Sequence, residues 1–327
     1  MKKQLLLSLI LTLFCGMICG QHLIRVNNNP AADADYLTLA EANNNATTGD
    51  TIYVEGSPAT YAGAEIDRKL CIIGPGYFLS DNDSTQANSL DAYISGTVDF
   101  ITGSEGSLIT GLRVSSIYIR VNEIVIARCN VYDIGIYGNS TNSLITQNYA
   151  NGIRNYSGNL TNSIISNNIV NTTITTYGTS YPLQITNNVI QAQGYTPISA
   201  SYSTIANNIT TSTNNIAVNT GNTIINNISA GTGTNANGNK YNVVMTTVFV
   251  DYSGSLNYSD DAKWKLKAGS PAIGAGVSGV DCGVFGGTTP YVLSGVPALP
   301  HIYEAIIPGV AYSATGLSCT LKVKAGK

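Results

Sequence analysis

From Ser107 to Ser229 the chain alternates short apolar runs with polar corners on a steady beat. "SLITQNYA" ends its Gln-Asn at Asn148, "SIISNNIV" puts its second Asn at 168, "LQITNNVI" at 188, "STIANNIT" at 208 and "NTIINNIS" at 227. The steps are 20, 20, 20 and 19. Upstream, "IVIARCNV" holds Cys129 in the same slot and "SLITGLRV" holds Leu112. Each apolar run spans three to five residues, too short for a helix and rich in β-branched side chains. A unit of this size cannot bury its own apolar face, so successive units must stack. The pattern predicts a β-solenoid with at least seven coils. Asn suits the left-handed corners such a coil requires, and stacked amides can bond one another inside the rod. Regular recurrence favours this structural role for the pairs over a ligand site.

The ends become legible once the repeat is set. "MKK" followed by "QLLLSLILTLF" and "CGMICG" reads as a signal peptide over residues 1–20. The expectation is an exported chain, extracellular or at the cell surface, with no membrane span. "DYLTLAEANNNATTGDTIYVEGSPATYAG" (35–63), "RKLCIIGPGYFL" (68–79), "WKLKAGSPAIGAG" (264–276) and "VDCGVFGG" (280–287) resemble segments of the pectin-lyase-like superfamily. That resemblance implies a right-handed parallel β-helix over residues 21–287, with a helical cap around Leu37–Ala46. "PALPHIYEAIIP" resembles exported β-helix proteins of Bacteroidetes-type bacteria. Residues 288–327 lose Asn, gain Pro and read as a short β-strand appendage. Its expected place is the C-terminal end of the rod, covering the last coil.

Composition narrows the function. Charged residues make up 11% of the chain and the net charge is −3, which leaves no basic stripe for nucleic acid. Between Arg154 and Lys240 there is no Asp, Glu, Lys, Arg or His, so more than four successive coils lack any ordinary general acid or base. Charge gathers earlier, in Arg113, Arg120, Arg128, Arg154, Asp99, Glu105, Glu123 and Asp133; solvated ion pairs and turn residues are the preferred reading, with Arg128 and Asp133 flanking one edge as the alternative. Cys71, Cys129, Cys282 and Cys319 are scattered and read as small buried thiols. No cofactor or metal is expected. Asp81 and Asp83 have the alternate spacing of a calcium loop but lack its remaining ligands and glycine, and the two histidines lie far apart.

One column stands out. Tyr118, Tyr137, Tyr156, Tyr177 and Tyr195 keep step with the coils, at spacings of 19, 19, 21 and 18. Rings stacked coil on coil would stabilise the rod. Facing solvent beside Arg120 and Arg154, they would form a platform for a sugar chain. Two functional readings follow. One is an exported, non-catalytic protein that binds polysaccharide. The alternative, carried by the resemblance, is a polysaccharide lyase or glycoside hydrolase with its site in the charged early coils.

Overall fold

The computed structural model describes residues 22–176, 182–310 and 316–325. The expected signal peptide and Tyr177 lie outside the described residues. The chain winds into a parallel β-solenoid of about nine turns, almost without helix, and ends in an antiparallel strand pair. Among the described residues no helix is long and apolar enough to cross a membrane.

Ten short strands form the first sheet, beginning with Leu23–Val26 and ending with Thr223–Ile225. Their register is set by one isoleucine per coil. Ile24, Ile52, Ile72, Ile109, Ile126, Ile145, Ile165, Ile185, Ile205 and Ile224 stand side by side in one column. All are buried except the last, which is partly covered. Each buried isoleucine removes apolar surface worth roughly 1.5–3 kcal/mol from water. The second sheet lies across this core and runs from Ala64–Ile66 to Ile228–Ser229. A one-residue slip would turn either column outward, so the stacking register is fixed.

Each Asn pair divides two tasks between its members. The first residue, Gln147, Asn167, Asn187, Asn207 or Asn226, takes a positive φ between 54° and 59°. The second is fully buried and builds the ladder. Asn148 Nδ2 donates to Asn168 Oδ1 at 3.0 Å, and the same bond repeats to Asn188, Asn208 and Asn227. Asn239 extends the ladder beyond the repeat, accepting from Asn227 Nδ2 at 3.0 Å. Each ladder oxygen also accepts the preceding coil's backbone N–H, beginning with that of Cys129.

The amino-terminal end of the core is covered by helix α1, Leu39–Asn45, as the sequence led us to expect. Thr38 caps it by accepting from the Glu41 backbone N–H, while Glu41 accepts in return from the Thr38 N–H. Leu39 and Ala42 face the core.

The carboxyl-terminal region departs from expectation. The stretch around 275–287, expected to finish the β-helix, and the start of the 288–327 appendage, expected to cover the last coil, together return along the side of the rod as a strap. Asn226 Nδ2 donates to Ala275 O, Asn207 Oδ1 accepts from Val277 N, and Asn167 Nδ2 reaches Val284 O and Gly286 O. Gln147 Nε2 donates to Thr289 O and Pro290 O, and Arg128 Nη1 to Val296 O. As the strap advances, its partners step back through the coils. The driving force is a second apolar column on the outside of the rod. Ile169, Val189, Ile209 and Ile228 bury against Val248, Phe249, Trp264, Val284 and Tyr291. Ala87 N then donates to Ile302 O, placing the strand His301–Ile306, with its partner Thr320–Lys324, beside the early coils.

Candidate binding face

The charged early coils present one outer face of the second sheet, built by the strands Tyr93–Phe100, Arg113–Ile119, Asn130–Ile136 and Tyr149–Asn155. Inward Val98, Ile117, Ile134 and Ile153 anchor these strands. Their outward neighbours carry the chemistry. Tyr118 is paired with Gly135, and Gly135 with Arg154.

Three Arg–carboxylate pairs cross coil boundaries. Arg120 Nε lies 2.9 Å from both oxygens of Asp99. Arg154 Nη1 donates to Asp133 Oδ1, while its Nη2 donates to Thr172 Oγ1 at 3.0 Å. Arg113 stands 3.6 Å from Asp91, with its guanidinium 4.3 Å from the Tyr93 ring centre. Burial raises the Asp99 carboxyl above its ordinary range, against the pull of Arg120. Arg128 does not join Asp133, so the alternative of a shared edge does not hold. It occupies the left-handed corner slot, donates to Gln147 Oε1 and holds the strap, because its φ of 53° aims it away from this face.

The tyrosines meet only in part. Tyr137 and Tyr156 stack at 4.8 Å and 11°, and Tyr118 leans on Tyr137 at 4.5 Å and 50°. Arg120 covers Tyr137 from 4.9 Å. The middle ring is therefore sandwiched and shows solvent its edge. Burial, together with the Tyr118 hydrogen bond, pushes the Tyr137 hydroxyl up to about 12. Tyr156 is half exposed, and its hydroxyl donates to Asp133 Oδ2 at 3.0 Å. Tyr195 stands apart, exposed in a turn with its backbone N–H bonded to Ala192 O.

Coil length explains the mismatch. Along the paired positions Ile117, Ile134, Ile153, Ile174 and Ile198, each step is longer than the one before. The slot three residues beyond them holds Arg120, Tyr137 and Tyr156, then Ser201 in the coil of Ile198. Even spacing of tyrosines on uneven coils cannot keep one column.

Glycine makes room for side chains to lie flat. A Cβ on Gly135 would come within 3.0 Å of both the Tyr118 and Tyr137 rings, and one on Gly152 within 2.5 Å of the Arg154 guanidinium. Repeat reasoning passed over Tyr132, which is 68% exposed beside the nearly buried Asp133. Inward Val131 and Ile134 bracket this pair. Tyr132 does not recur from coil to coil, so the period gave no signal for it. Asp81 and Asp83 are exposed, and Asn82 between them turns inward to Asp261 and Ser294.

No protein-family model, no curated protein and no solved structure matches this chain.

Proposed function

We propose that this chain is an exported, non-catalytic β-helix protein that holds polysaccharide on the outer face of its early coils. The residue patterns at both ends support the finer placement, a right-handed rod of the pectin-lyase-like kind. One observation carries the binding reading. Planar aromatic, guanidinium and carboxylate groups are held flat and hydrogen-bonded to one another across four successive coils. Groups fixed before a ligand arrives bind at lower entropic cost. Tyrosine faces suit the C–H side of a sugar ring, while carboxylate and guanidinium atoms suit its hydroxyls. Affinity gels cast with a panel of soluble polysaccharides test the proposal: retardation by at least one is expected, and migration unchanged in every gel would end it.

The catalytic alternative keeps one supporting observation. Arg113, Arg120 and Arg154 each face a carboxylate, which brings together basic and acidic groups of the kind lyase chemistry uses. Incubation with the same polysaccharides separates the two readings. New reducing ends or unsaturated products would make the face an active site, and none are expected.

A further inference from the structure

The balance of charge on this face decides which class of polysaccharide fits it, given the binding reading above. Three cations, Arg113, Arg120 and Arg154, stand among Asp91, Asp99 and Asp133, and each guanidinium is already paired. Glu65, in register with Asp99, adds a further negative group at the rim. Beyond Arg154 the next cation in the sequence is Lys240, so the coils that follow contribute no positive charge. An acidic sugar chain would have to displace a carboxylate from its arginine, or sit beside that carboxylate and be repelled. An uncharged chain meets no such cost. It would find the exposed ring of Tyr132, the exposed part of Tyr156, and the partly exposed guanidinium groups of Arg154 and Arg120, whose remaining N–H groups can donate to hydroxyls.

We infer that the ligand is an uncharged polysaccharide, stacked on Tyr132 and Tyr156 and accepting hydrogen bonds from the exposed part of the Arg154 guanidinium. The Asp133 carboxylate keeps acidic chains out by neutralising Arg154. Native gels of the chain, cast with a neutral panel (xylan, mixed-linkage β-glucan, galactomannan) and an acidic panel (polygalacturonate, alginate), provide the test. Retardation by a neutral polymer, insensitive to salt, is expected, with none from the acidic panel. Tyr132→Ala should weaken retention at least tenfold while leaving the unfolding midpoint unchanged. Asp133→Asn should uncover Arg154 and bring on salt-sensitive retention by an acidic polymer. Asp91→Asn, at a more exposed position, should do the same for Arg113 should the Asp133 variant fold poorly. Retention by acidic polymers alone in the unaltered chain would overturn the neutral-ligand inference yet leave polysaccharide binding standing. Failure of every polymer would overturn both.

Discussion

In each Asn pair the inner residue serves the amide ladder and the outer one the strap. The inner Asn depends on neighbours one repeat away on either side, a distance the sequence period states directly. The outer Asn depends on strap carbonyls that lie outside the period; for Asn167 these belong to Val284 and Gly286. A buried ladder asparagine and an exposed corner asparagine outside the pairs should respond differently to substitution. Asn188 Oδ1 accepts from the Asn168 backbone N–H and Nδ2, and Asn188 Nδ2 donates to Asn208 Oδ1, Ile165 O and Thr186 O. Asn188→Ala strands several of these buried groups at about 1–3 kcal/mol each, for a loss on the order of 4 kcal/mol. Asn162, exposed at φ 45°, gives up one amide bond when changed to glycine and should lose no more than about 1 kcal/mol. Urea midpoints at constant slope measure both. Thiols behave by the same logic of burial. Cys129 and Cys282 are buried and pushed up to about 12, whereas Cys319 is exposed, against the sequence expectation of a buried thiol. At pH 8 a thiol reagent should label Cys319 in the folded chain and reach Cys129 and Cys282 only after denaturant is added. Peptide mapping of the label would show it.

Among the elements, the strands were legible because each follows a local beat of apolar residues, and α1 through the resemblance of its segment to the cap of a known β-helix superfamily. The strap was not. Ile169, Val189, Ile209 and Ile228 read as ordinary strand interior, and nothing in "SIISNNIV" says that Ile169 faces out while Val170 faces in. The candidate face was half legible for a related reason. Arg120 and Arg154 were found by charge and Tyr156 by period, but uneven coil lengths broke the tyrosine column and Tyr132 has no repeat to announce it. Two truncations separate the strap from the terminal strand pair. Ending the chain after Ile302 removes a two-stranded sheet whose Ile306, Leu321 and Val323 are more than half exposed. The melting temperature should then move by no more than a few degrees, since little burial is lost. Ending it after Asn242 uncovers the outer isoleucine column and leaves the corner amides without the strap. At roughly 1.5–3 kcal/mol per uncovered side chain, that chain should aggregate or fail to fold. Size-exclusion chromatography of the two truncations would distinguish these outcomes.

At the scale of the whole molecule, the strap changes what kind of object the rod is. A solenoid whose coils touch only their neighbours can fray from either end, its stability being a sum of local terms. Here the strap spans from the coil of Asn226 to the early coils and closes on a buried polar junction. Asp261 accepts from Asn82 Nδ2 at 3.0 Å, Ser259 Oγ at 2.7 Å and Ser294 N at 2.7 Å, and Tyr291 OH meets Tyr77 OH at 2.6 Å. The early coils are thereby tied to the strap, and through it to the late coils, by contacts between residues remote from one another in sequence, and the rod should unfold as one unit. The same junction makes that unity sensitive to alkali. Burial holds Tyr77 and Tyr291 well above the ordinary phenol value of 10.0. The folded state keeps these protons while the unfolded chain releases them. Their contribution is therefore fully present below pH 10 and falls as pH rises beyond it. Cys129 and Cys282 act in the same direction between pH 9 and about 12. At neutral pH, hydrogen exchange should show early and late coils opening with the same free energy. Asp261→Ala strips the junction of its acceptor, and in that variant the late coils should open separately from, and at lower cost than, the early ones. Equal opening energies in the variant would mean that the outer apolar column alone couples the rod and that the polar junction does not.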